Sequence, residues 1–175
     1  GHQAGENAWV CDKSVFIGDR AGDGASGIDN SVFIGERAGL DASGAYPTGV
    51  NDLPKLADVV AIGSQAAYQA REIEETVAIG KYAGFQTMAT LNGRLNLIGL
   101  SVGRYASGID YISAMGTNAA EELRNSEFSN LIGNYAGHDA SGIDRVFAVG
   151  QLAADRAQTM TYTSVIGTQA GAQAT

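Results

Sequence analysis

The chain has 175 residues, of which 24 are glycine, two proline and one cysteine, and its formal net charge is −8. Glycine at about twice its usual ~7% share, with aromatics at only 7%, excludes a conventional globule built around bulky side chains, and a single cysteine excludes an intrachain disulfide. The acidic balance without a basic cluster excludes nucleic acid as a partner, because phosphate binding needs a positive footprint; with no run of ~18 apolar residues, no membrane insertion is expected either.

The chain opens on "GHQAG", which returns near its end as "GTQAG" at residues 167–171. "SVFIG" follows at 14–18 and again at 31–35, 17 residues on. The glycine closing this segment recurs as Gly18, Gly35, Gly63, Gly80, Gly99, Gly116, Gly133, Gly150 and Gly167. The spacings are 17, 28, 17, 19 and then 17 four times, and Gly1 adds a further phase. Around this marker the residues form columns. Ile17, Ile34, Ile62, Ile79, Ile98, Met115, Ile132, Val149 and Ile166 precede it; Ala21, Ala38, Ala66 and Ala83 begin the column three places after it; the position after that holds only Gly or Ala.

A fixed period with columns of like residues is what a solenoid requires, since each coil buries its apolar side only against the next. Seventeen residues are too few for a repeat of paired helices. The period instead predicts an all-β, parallel β-solenoid, a β-helix or β-roll of about ten coils, with "SVFIG", "DVVAIG" and "TSVIG" as strands and glycines at the corners. The segments "SQAAYQAREIEE" and "TNAAEELR" have helical propensity, but each lies inside one 17-residue period, so both are read as coil turns. Residues 1–175 form a single repeat domain with an inserted loop at about 46–56, "YPTGVNDLPKL", which accounts for the spacing of 28 and carries both prolines.

Both strand faces are apolar. Phe16, Phe33, Leu97 and Leu131 stand two before the marker, and the isoleucine column stands one before it. Adjacent strand residues point to opposite faces, so one set fills the coil and the other needs a cover. A second copy of the chain supplies it most economically, and the expectation is a homotrimer wound around a shared axis. Ile98 and Ile132 are assigned to the core, where Asp at either position would abolish folding by burying an unpaired charge.

The repeated "SVFIGxxAGxxASGID" resembles the repeats of bacteriophage tail fibres and tailspikes over essentially the whole chain apart from the insert. It is also similar, more loosely, to the "SVAIG" coils in the heads of trimeric autotransporter adhesins, whose coils are usually shorter. The resemblance implies a homotrimeric, structural and adhesive virion segment. Its partners would be a bacterial surface polysaccharide or receptor, together with other fibre segments or baseplate proteins. The alternative is an adhesin head on the bacterial cell surface. Neither family transfers a catalytic residue to this chain.

The search for chemistry agrees with a non-enzymatic reading. Asp12, Asp29, Glu74, Asp110, Glu127 and Asp144 share a column eleven after the marker. Asp110, Glu127 and Asp144, on three successive coils, are the candidate ligands of a divalent cation, since stacked carboxylates repel unless neutralised. Solvated turn acids, or acids paired with Arg20 or Arg37 of a neighbouring chain, are the alternative. A tailspike-type polysaccharide depolymerase needs a pair of carboxyls astride a cleft, and uniform repetition argues against one special pair. A hexapeptide-repeat acyltransferase needs a period of 18, and an ice-binding solenoid a threonine-rich column; neither is present. No cofactor is expected. Candidate ligand-binding residues are Tyr46, Asn51 and Asp52 of the insert, with Tyr68, Tyr82 and Phe85, whose aromatic faces suit sugar stacking; the alternative is an aromatic ladder packing on itself or on the loop. His2 and His138 are read as isolated surface residues, Cys11 as a buried inert filler, and Trp9 as a cover for the first coil or a contact to whatever precedes it.

Overall fold

A computed structural model describes residues 1–9, 11–28, 30–43, 58–70, 75–86, 94–108, 110–122, 124–159, 161 and 163–171. Nine short strands follow in order: β1 (Val15–Ile17), β2 (Val32–Ile34), β3 (Val59–Ile62), β4 (Thr76–Ile79), β5 (Leu95–Ile98), β6 (Ile112–Met115), β7 (Asn130–Ile132), β8 (Phe147–Val149) and β9 (Ser164–Ile166). They form one sheet in sequence order, each strand parallel to the next. This is the expected all-β parallel solenoid with its 17-residue period. Among the described residues there is no helix.

Register follows the sequence columns. Phe16 lies beside Phe33, Leu97 beside Ala114, and Ile98 beside Met115. Six of the eight strand-to-strand steps span 17 residues, as from Val15 to Val32; the step from Thr76 to Leu95 spans 19 and that from Val32 to Val60 spans 28. The described coils make about seven turns rather than the ten expected from counting markers. Residues 1–9 add a partial rung without a strand: Trp9 bridges to Ser26, and the Gly5 N–H donates to the Ala21 carbonyl at 2.8 Å.

The two segments of helical propensity are wound differently. Gln65, Ala67 and Gln69 have φ of +57°, +48° and +55°, and Asn118 and Ala120 have +54° and +51°. Every second residue is therefore left-handed. The zigzag sends successive free N–H groups to opposite neighbours: Gln65 donates to the Glu36 carbonyl on one side, and Ala67 to the Ala83 carbonyl on the other, both at 2.8 Å. A single helical turn would be too short to hold itself together. Here the unfavourable backbone conformation, about 1–2 kcal/mol per non-glycine residue, is offset by hydrogen bonds between coils and by complete burial of Ala66 and Ala67.

The interior is narrow, and its volume is balanced coil by coil. In the coils where the inward strand residue is large, the residue opposite it in the left-handed run is glycine. A Cβ on Gly39 would press into the Phe33 ring, one on Gly103 would lie 3.1 Å from both Leu97 methyls, and one on Gly137 would lie 3.2 Å from both Leu131 methyls. Where the strand residue is Ala61, Ala114 or Ala148, the equivalent position holds Ala67, Ala120 or Ala154, all fully buried. Ala78 with Gly84 is the exception. The marker glycines have a second constraint: Gly18 has φ +137°, and a Cβ there would run into the carbonyl oxygen of Gly35.

The assignment of Ile98 and Ile132 to the core is corrected. Both are 38% exposed, whereas their neighbours Leu97 and Leu131 are fully buried. The isoleucine column points out of the coil, and the column before it fills the inside. Side-chain volume decides the choice. The space between sheet and zigzag accepts alanine in many coils, while the outer face accepts a β-branched residue in nearly all.

Candidate functional site

The outer face of the sheet is an apolar surface that runs along all nine strands. Each strand sends two residues outward: Val15 and Ile17, Val32 and Ile34, Val60 and Ile62, Val77 and Ile79, Asn96 and Ile98, Ser113 and Met115, Asn130 and Ile132, Phe147 and Val149, Ser164 and Ile166. None of these eighteen positions is charged, in a chain with 30 charged residues. A sheet face meant for water normally alternates apolar-in with polar-out, and this one does so only at Asn96, Ser113, Asn130 and Ser164.

A ladder one residue wide runs along the left-handed run, five residues past each marker. The Tyr68 and Phe85 rings stack with centroids 5.1 Å apart, and Tyr82 meets Phe85 edge-on at 5.5 Å. The Arg104 guanidinium lies 5.9 Å from the centroid of Phe85 and 5.0 Å from that of Tyr105. Arg104 Nη1 then donates to Glu121 Oε1 at 3.0 Å. His138 Nε2 is 3.2 Å from Glu121 Oε2, and His138 Nδ1 is 3.1 Å from Asp139 Oδ1 and 3.5 Å from Asp155 Oδ1. Each member of the series stands one coil from the last. Partners within a coil add to it: Asn118 Nδ2 donates to Glu121 Oε2, and the Tyr135 ring meets the His138 ring edge-on at 5.0 Å. Glu121 is only 8% exposed, so its charge is held by these donors.

The structure thus brings Tyr68, Tyr82 and Phe85 together as expected, but it engages their faces. Phe85 has Tyr68 stacked on it and Arg104 within cation–π range, so Tyr68 and Phe85 spend their shared faces on each other. Tyr46, Asn51 and Asp52 lie outside the described residues. His138 is corrected from an isolated surface residue to a half-buried member of the ladder. The sequence carried a signal for this: Arg104, Glu121, His138 and Asp155 share one column with alternating charge character. Cys11 is half-buried, its thiol 3.5 Å from the Trp9 and Ala25 carbonyls, and Trp9 is 63% exposed rather than a cover.

At the opposite corner, Asp110, Glu127 and Asp144 stand in register, bridged through their backbones coil to coil. Asp144 Oδ1 lies 3.8 Å from Arg145 Nε. Among the described residues no three His, Cys, Asp or Glu side chains come together so as to hold a metal ion. Of the two bases considered for these acids, Arg20 pairs within its own coil with Asp23 at 2.9 Å, a hydrogen bond that raises its pKa further above the ordinary arginine range, and Arg37 Nε lies 3.9 Å from Glu36 Oε1. The residues after these three acids, together with Arg94 one coil earlier, form a second ladder. Arg94 lies over Tyr111 at 5.2 Å, Tyr111 stacks on Phe128 at 4.8 Å, and Arg145 lies over Phe128 at 5.5 Å.

Comparison of the chain with protein-family models, with curated proteins and with solved structures gives no match in any of the three.

Proposed function

We propose that the chain is a structural and adhesive segment of a phage-type tail fibre. In this reading it is a rod in which three copies pack the outer faces of their sheets around a shared axis and hold host-binding parts at a fixed distance. The observation that carries the reading is the charge-free outer face. It runs the full length of the sheet, and a stripe of that extent facing water would be a strong aggregation liability. Its features repeat once per coil, so the partner that fits it is a rod of the same rise, and a further copy of this chain has that rise. Copies with a net charge of −8 also repel one another except across a neutral surface. Three copies rather than two follows the resemblance to tail-fibre and adhesin-head repeats, as do a virion location and a bacterial surface polysaccharide or receptor as partner.

Sedimentation equilibrium tests the assembly. The expected mass is three times that of the chain, and a single-chain mass at micromolar concentration overturns the reading. Binding of the purified rod to an array of bacterial surface polysaccharides tests the adhesive part, and an array without any bound glycan reduces the proposal to a spacer.

A further inference from the structure

We infer that Asn96, Ser113 and Asn130 fix the register in which copies of this chain pack side by side; the inference rests on the self-association proposed above. A repeating face has a register problem. The isoleucine column offers nearly the same side chain at every coil, with Ile79, Ile98, Met115 and Ile132 on four successive strands. Two copies slipped by one coil, ~4.8 Å, would still set isoleucine against isoleucine and lose only the contact of a terminal coil. The column cannot distinguish the aligned arrangement from the slipped one.

The other outward column can. It reads Val15, Val32, Val60 and Val77, then Asn96, Ser113 and Asn130, then Phe147 and Ser164. Asn96 and Asn130 are exposed on the single chain, and Ser113 lies half-buried between them. When copies are aligned, like residues meet at one height. Amide meets amide, each able to donate and to accept, and hydroxyl meets hydroxyl. A slip of one coil sets Asn96 against Val77 at one end of the polar block and Phe147 against Asn130 at the other. Each mismatch buries an amide opposite a side chain that cannot hydrogen-bond. A buried asparagine sets register in the same way in coiled coils, by penalising the alternatives rather than by adding affinity. Apart from Ser164 on the last strand, the polar residues of the face lie together in the middle of the rod, where every slipped arrangement still overlaps.

The test is a distance measurement between copies. A nitroxide is attached at Thr117→Cys, an exposed position beside the sheet, in a Cys11→Ser background of the full chain. Pulsed dipolar spectroscopy of this labelled chain is expected to give one narrow inter-label distance. The triple substitution Asn96→Val, Ser113→Val and Asn130→Val removes the central polar block and leaves Ser164, on the last strand, as the one polar residue of the outward columns. It is expected to keep the sedimentation mass and split the distance into several, displaced by whole coils. One narrow distance retained in the triple variant overturns the inference and leaves the assembly reading intact, and loss of association in that variant overturns it too. A single-chain mass for the unsubstituted protein overturns the assembly reading and the inference with it. A second variant keeps the polar block but moves it by one coil, Val77→Asn with Asn130→Val. Labelled and mixed with labelled unsubstituted chain, it should place unlike copies one coil apart along the rod and so lengthen their distance by the axial offset taken at right angles to the lateral separation, and an unchanged distance counts against the inference.

Discussion

Leu131 and Gly137 face each other inside one coil at a separation that is tight for a methyl group: a Cβ on Gly137 would lie 3.2 Å from both methyl carbons of Leu131, which would have to give by a few tenths of an ångström. Two coils carry the alternative solution, Ala114 with Ala120 and Ala148 with Ala154, on either side of this one. The two solutions predict a compensating pair. Leu131→Ala alone should cost about 2–5 kcal/mol through the cavity it leaves. Gly137→Ala alone should cost about 1–3 kcal/mol by overpacking. The left-handed backbone at Gly137, φ +65°, adds about 1–2 kcal/mol for a non-glycine residue, a cost that Ala120 and Ala154 already carry with φ of +51° and +55°. The double variant should be more stable than the sum of the two by about 1 kcal/mol or more. Urea unfolding of the four proteins measures the coupling, and additive costs would mean that the two residues do not share one space.

The same pair shows what was legible in the sequence. Period, strand positions, parallel order and the absence of helix among the described residues all followed from the marker glycines, because a column repeated nine times outweighs the local propensity of "SQAAYQ". The direction of the strand faces did not follow, because period-2 alternation carries no information when both faces are apolar. The missing information lay in a correlation between columns: bulky Phe16, Phe33, Leu97 and Leu131 with glycine six residues later, and Ala61, Ala114 and Ala148 with alanine there. Read together, these identify the inward set. The non-glycine left-handed positions, among them Arg20, Tyr82 and Tyr135 with φ of +53°, +60° and +57°, were not legible at all. They are imposed by hydrogen bonds between coils, not by residue type. The aromatic ladder was legible because like residues share a column. Its charged continuation through Glu121 and His138 has the same spacing with unlike residues.

Reversal of the strand faces changes what substitution at Ile132 should do. Its side chain is partly exposed on the single chain, so Ile132→Asp places a carboxylate in water rather than in the core. The β-rich circular dichroism spectrum should survive, with a loss of at most about 1 kcal/mol in the unfolding free energy of the single chain. Association should be lost, because copies would bring uncompensated carboxylates together in a desolvated interface. A variant that fails to fold at all would return Ile132 to the interior.

Glu121 joins three coils, accepting from Arg104 on one side and lying against His138 on the other. Glu121→Gln keeps the shape but removes the charge. The expected loss is about 1–3 kcal/mol, the range for a charge-assisted hydrogen bond in a partly buried setting. A double-mutant cycle with Arg104→Gln should give a coupling of about 0.5–2 kcal/mol, which falls in high salt because Arg104 remains partly open to solvent. Zero coupling would show that the ladder is held by its aromatic members alone.

The acidic column makes the opposite prediction. Asp110, Glu127 and Asp144 stand on successive rungs with their backbones bridged, so like charges repeat at about the coil spacing of ~4.8 Å. Such neighbours are mutually destabilising by about 0.2–1 kcal/mol. Arg145 near Asp144 at 3.8 Å relieves part of this at one end. Glu127 is the middle member, so Glu127→Gln relieves two repulsions at once and should raise the melting temperature by one or a few degrees, with less gain at high salt. If the column instead holds a divalent cation, the signs reverse. Millimolar calcium would then raise the melting temperature of the unsubstituted chain, and Glu127→Gln would lower it in calcium by removing a ligand. Thermal melts of both proteins with calcium and with chelator separate the two cases, and the grouping of the acids predicts a gain for Glu127→Gln that is the same in either buffer.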